Sequence, residues 1–121
     1  MKKIAIPVSE GILSAHFGHA PYFYFYYVED GKIIKEQMEM PPPHEFGVIP
    51  NWLAENEVTD LITGGIGPKA VDILNNRNIN VFTGAPADNP AEIIRKFIAG
   101  TLKTTANLCN HDHNHDHNCE H

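Results

Sequence analysis

Residues 60–83 read DLITGGIGPKAVDILNNRNINVFT, and this stretch decides the fold class. Asp60 to Thr63 is a short apolar strand that runs into a glycine turn, Gly64-Gly65-Ile66-Gly67-Pro68. From about Pro68 to Arg77, Ala70, Val71, Ile73 and Leu74 recur at helical spacing and form one inward face. Ile79 to Thr83 is again a strand. Strand, helix and strand in so short a span make a β-α-β unit, with parallel strands and a right-handed crossover.

Toward the C-terminus, Asn89-Pro90-Ala91-Glu92 starts another helix: Asn caps, Pro takes the first helical position and Glu the capping-box place. That helix lays Ile93, Ile94, Phe97 and Ile98 on one side and ends near Gly100, and the core ends around Leu102 to Lys103. Toward the N-terminus, Val48 to Asn56 reads as a short helix with Val48, Ile49, Trp52 and Leu53 on one face and Pro50 in its first turn. Pro41-Pro42-Pro43 makes a stiff loop, because none of the three can donate to a ladder. Before it, Tyr22 to Val28 and Ile33 to Met40 flank Glu29-Asp30-Gly31-Lys32, an Asp-Gly hairpin signal. Tyr22 to Tyr27 is aromatic on both faces, which marks a central buried strand, whereas Lys35, Glu36 and Glu39 put the return strand at an edge. Lys2 to Val8 is the first strand, and Ser9 to Ala20 is a loop. The expected architecture is α/β: a mixed five-stranded sheet flanked by about three helices. Residues 1–103 form this domain, and residues 104–121 form a flexible His/Cys-rich tail.

The 121 residues suffice for one core. The net charge is −6, of which Asp112, Asp116 and Glu120 supply −3, leaving 9 basic against 12 acidic residues elsewhere. No basic patch stands out, so a nucleic-acid partner is not expected. No apolar run approaches the roughly 18–20 residues that span a membrane. Pro7 and Ser9-Glu10-Gly11 break the apolar start too early for a secretion signal, and a cytoplasmic protein is expected. The two cysteines, Cys109 and Cys119, both lie in the tail, where a disulfide in a reducing compartment is improbable.

Three stretches could carry chemistry. In the tail, histidines fall at every second position, His111, His113, His115 and His117, bracketed by Cys109 and Cys119 and followed by His121. In an extended chain the four share a face, so one ion can collect several imidazoles. Nitrogen and thiolate ligands suit nickel, zinc or copper better than magnesium or calcium. The second stretch pairs Ser14-Ala15-His16-Phe17-Gly18-His19 with His44-Glu45-Phe46-Gly47, two loops each carrying His beside Phe and Gly. His16 with His44 nearby would form a soft pocket, whereas His19 or His44 taken alone reads as a solvated loop side chain. The third is the turn containing Gly65 and Gly67, whose backbone N–H groups at a helix start attract anions, although it lacks the ending of a phosphate-binding loop.

In combination, Ser14-x-His16-Phe17-Gly18, Gly47-x-x-Pro50-x-Trp52-Leu53, Ile62-x-x-Gly65-Ile66-Gly67-x-x-Ala70, Ala99-Gly100-Thr101-Leu102 and Cys109-Asn110-His111 resemble the dinitrogenase iron–molybdenum cofactor biosynthesis family, the small domains similar to NifX and to the C-terminal part of NifB. The resemblance spans Lys3 to His111. It implies a ribonuclease-H-like motif and a domain that binds a metal–sulfur cluster or its precursor and delivers it to another protein. His16, Phe17, Gly18, His44, Gly65 and Gly67 become the expected cofactor-binding residues, with His16, His44, Cys109 and His111 as metal ligands.

A carrier of an iron–sulfur or iron–molybdenum-type cluster is therefore expected, acting with metallocofactor assembly or acceptor proteins, as a monomer or weak homodimer. Clusters favour thiolates and the core has none, so holding should be transient. The alternative is a nickel, zinc or copper buffer or sensor working through the tail. Catalysis is not expected: Glu10, Asp60 and Asp72 are scattered, and no carboxylate lies in the first strand.

Overall fold

The computed structural model describes residues 1–43, 45, 47–104 and 106–108. The strands are β1 (Lys2–Ser9), β2 (Ile12–Leu13), β3 (Tyr22–Glu29), β4 (Lys32–Glu39), β5 (Asp60–Ile62), β6 (Asn80–Thr83) and β7 (Ala106–Leu108). The helices are α1 (Val48–Glu55), α2 (Pro68–Asn76) and α3 (Pro90–Ala99). The sheet order is β4-β3-β1-β5-β6-β7, with β2 paired to β1 alone. β1, β5 and β6 run parallel, while β3, β4 and β7 are antiparallel to their neighbours.

The mixed sheet and three helices agree with the sequence reading, but the strand count does not. Six strands, not five, lie along the sheet, and β2 adds a seventh off its path. β2 follows a two-residue turn in which Glu10 and Gly11 both have positive φ, 54° and 83°. The Asp30-Gly31 turn between β3 and β4 has the same form, with φ of 53° and 75°. Beyond Leu102, β7 pairs antiparallel with β6, Ala106 opposite Thr83 and Leu108 opposite Val81.

Alternation along the strands splits the core in two. On one face Ala5, Phe23, Phe25, Leu61 and Val81 pack against Ile49 and Leu53 of α1 and Val71 and Leu74 of α2. On the other, Ile4, Ile6, Val8, Tyr26 and Ile62 pack against Ile93 and Ile94 of α3. Trp52 stands against Phe23 and Phe25, with ring centroids 5.6 Å from each. Helix α3 starts as its sequence indicates: the Asn89 side chain accepts the Glu92 N–H at 3.0 Å. β4 is the edge expected of it, with Ile33, Ile34 and Met38 exposed. Among the described residues, no helix is long and apolar enough to cross a membrane.

Candidate functional site

The site lies where the β-α-β unit turns from strand to helix. β1 stops at Ser9, and after β2 the chain returns to run beside the end of β5. There the Gly65 N–H donates to the Ala15 carbonyl at 2.6 Å and the Phe17 N–H donates to the Gly65 carbonyl at 2.9 Å. His16 and Gly65 thus form a parallel bridge between segments remote in sequence. Only glycine allows so close an approach: a Cβ on Gly64 would stand 2.9 Å from the Ala15 Cα, and one on Gly65 2.8 Å from the Ala15 carbonyl oxygen. The buried Ser14 hydroxyl donates to the His16 carbonyl at 3.0 Å and accepts the His16 N–H at 3.2 Å, fixing the backbone ahead of the histidine.

Phe17, Gly18 and His19 then form a 3₁₀ turn, closed by the His19 N–H donating to the His16 carbonyl at 3.2 Å. Phe17 points into the core and meets Phe23 edge-on at 5.8 Å, so it anchors the turn. His16 is the extended N-cap of this turn and His19 its last residue, so the hydrogen bond that closes the turn draws the two together. The His16 and His19 rings accordingly lie 5.7 Å apart, centroid to centroid, and both side chains are exposed.

These residues border a cleft of about 730 Å³. Phe17, Ile49, Pro50, Ile66 and Ile73 give it an apolar lining, and His16, His19, Glu45 and Lys69 supply its polar side chains. The start of α2, with Gly67 as N-cap and Pro68 at the first helical position, forms one wall and adds the positive end of the helix dipole. The arrangement provides a roomy apolar hollow with two imidazoles and a cationic helix start around it.

Of the cofactor-binding residues expected from sequence, the structure brings His16, Phe17, Gly18, Gly65 and Gly67 to this one cleft. Gly65 serves close packing as well as lining, and Phe17 chiefly anchors. His44 lies outside the described residues, as do Cys109, His111, His113, His115, His117, Cys119 and His121. Because β7 is antiparallel to β6, the chain at Leu108 is running away from the end of the sheet that carries the cleft. His19 was not among the expected site residues, although its i, i+3 relation to His16 is visible in the sequence once a 3₁₀ turn is inferred. Among the described residues, no group of three or more His, Cys, Asp or Glu side chains is placed to hold a metal ion.

Comparison with known proteins agrees with the fold. The chain is 32% identical over 108 residues to the uncharacterized protein MJ0580 of Methanocaldococcus jannaschii, covering 85% of this chain and 91% of that one. The crystal structure of PH0822 superposes with a TM-score of 0.80 at 30% identity, over 85% of this chain and 94% of that one. The apo form of the orange protein from Desulfovibrio gigas superposes with a TM-score of 0.73 at 22% identity, over 88% and 94%, and so shares the fold. The family model described as dinitrogenase iron–molybdenum cofactor matches residues 1–100, which hold the sheet up to β6, all three helices and the whole described cleft, and the chain belongs to that family.

Proposed function

We propose that the protein is a carrier that holds an iron–sulfur or iron–molybdenum-type cluster in the cleft beside His16 and passes it to metallocofactor assembly or acceptor proteins. The observation that carries this reading is the cleft itself: about 730 Å³ of largely apolar space with imidazoles at its rim. A single ion needs only a tight cage, whereas pockets of roughly 300–1,000 Å³ suit molecule-sized ligands. Membership of the family supports the same role.

The donor set fits a cargo better than a resident cofactor. Both cysteines of the chain, Cys109 and Cys119, lie outside the described residues, so no described thiolate can anchor a cluster. Imidazole from His16, a positive helix start at Gly67–Ala70 and an apolar lining give holding with ready release. The strand order β4-β3-β1-β5-β6, with β3 antiparallel to β1, supports the ribonuclease-H-like designation of the fold. A non-catalytic role is part of the proposal, as are a cytoplasmic location, action as a monomer or weak homodimer, and the absence of nucleic acid or membrane among its partners.

The test is anaerobic reconstitution with iron and sulfide, followed by visible absorbance and iron content of the desalted protein. The full chain should retain a chromophore, and His16→Gln should lose most of it. Equal retention by both would remove His16 from the site.

The alternating histidines 111–117 with Cys109 and Cys119 favour a second reading, a nickel-, zinc- or copper-binding tail. A chain ending at Leu108 should lose such ions and keep the cluster. Loss of both would make the tail the site of all metal binding.

A further inference from the structure

We infer that His16 and His19 act together as a two-nitrogen clasp for one transition-metal centre of the cargo, with His19 the second ligand; this rests on the reading of the cleft as the cargo site. Three features carry it. His16 is the extended N-cap and His19 the last residue of one 3₁₀ turn, and the His19 N–H to His16 carbonyl bond of 3.2 Å closes that turn. The turn is held from three sides: Phe17 is buried against Phe23, the His16 backbone is tied to the Ser14 hydroxyl, and the Phe17 N–H is bonded to Gly65. Both imidazoles border the same cleft.

The separation suits chelation. With a metal–nitrogen distance of about 2.0–2.1 Å and a ring centre about 1.1 Å beyond the nitrogen, two imidazoles on one ion have centroids about 4.5–6.4 Å apart for angles from 90° to 180°. The observed 5.7 Å falls inside that range, so the two ring centres already stand at a separation that a shared ion requires. Two imidazoles leave about half of a tetrahedral shell, or about two thirds of an octahedral one, open. Sulfide, solvent or an acceptor protein's ligand can occupy the rest, which makes the clasp a place of exchange rather than storage. Imidazole donors select iron, nickel, copper or zinc centres over magnesium and calcium.

The test uses zinc, a diamagnetic ion that imidazole binds, added to the full chain while the ring nitrogens of His16 and His19 are followed by NMR. His16→Gln and His19→Gln assign the two signals, and tail histidines are followed separately. Both signals should move along one shared titration curve, and His19→Gln should raise the midpoint read at His16 by about tenfold or more. Because His19 is exposed, the variant should keep the Trp52 fluorescence of the native fold. An unchanged His16 midpoint in His19→Gln would overturn the clasp while leaving His16 as a single ligand and the carrier reading intact. A His19 signal that stays still while His16 moves would overturn it equally. If neither moves yet the reconstituted cluster is retained, the clasp fails and the cleft holds its cargo by other means.

Discussion

Replacing Gly65 by alanine should unseat the loop that carries His16. The new Cβ would lie 2.8 Å from the Ala15 carbonyl oxygen, inside the 3.0 Å limit that real Cβ atoms respect. The obstacle is backbone on both sides, so relief requires the two segments to separate by about half an ångström. Separation weakens two hydrogen bonds, Gly65 N–H to Ala15 O at 2.6 Å and Phe17 N–H to Gly65 O at 2.9 Å. Each is worth about 1 kcal/mol, and overpacking adds about 1–3 kcal/mol. Alanine regains about 0.4–1 kcal/mol by restricting the unfolded chain, which leaves a net loss of about 2–4 kcal/mol. Gly67, two residues on, is the internal control. It has nothing within 4 Å of a Cβ, and its φ of −77° and ψ of 154° are open to any residue. Gly67→Ala should therefore lie within about 1 kcal/mol of the parent, the unfolded-state gain offsetting a poorer N-cap. Urea unfolding followed by the fluorescence of Trp52, the chain's one tryptophan, measures both. Equal losses in the two variants, or a Gly65→Ala change below about 0.5 kcal/mol, would refute the close-approach argument.

Three further outcomes are expected. Phe17→Ala should cost about 3–5 kcal/mol by emptying the space against Phe23, and thermal unfolding would show it; a loss of cargo binding without loss of stability would mean that Phe17 contacts cargo instead. Asn89→Ala should cost about 1 kcal/mol in urea unfolding by removing the cap on the Glu92 N–H, with Asn89→Asp close to the parent. Burial, with help from the hydrogen bond its hydroxyl donates to Glu36 at 2.9 Å, holds the Tyr26 ionisation well above the ordinary tyrosine value. The folded state thus keeps a proton that the unfolded chain gives up, and stability is complete below pH about 10 and falls above it by up to about 1.4 kcal/mol per pH unit. Tyr26→Phe should flatten that alkaline slope, and a slope unchanged in the variant would assign it elsewhere.

The fold was legible where local signals and long-range packing agree. Helical spacing at Ala70, Val71, Ile73 and Leu74 gave α2, and Asp30-Gly31 gave the β3–β4 turn because Asp-Gly tolerates paired positive φ. Glu10-Gly11 adopts the same geometry with a residue that has no such preference, so β2 carried no signal. β7 is three residues long and exists through pairing with β6, an interaction that no local pattern announces. The site divides in the same way. His16, Phe17 and Gly18 were evident as a group, but the bridge from His16 to Gly65 joins residues 49 apart. That bridge also gives the glycines a packing role beside the anion turn that the sequence suggests: Gly64 and Gly65 are glycine because Ser14 and Ala15 cross against them. His19 carries no signal of its own, because a lone loop histidine is ordinarily solvated, and only the 3₁₀ turn sets it beside His16.

The decisive measurement is the iron, molybdenum and sulfide content of the full chain purified from its source without air, beside His16→Gln prepared identically. If the cleft carries a cluster, the parent should hold iron and sulfide, with or without molybdenum, together with visible absorbance, and the variant should hold little of either. A parent protein free of iron, molybdenum and sulfide, or a variant that retains them in equal amount, would contradict a cluster carried at His16.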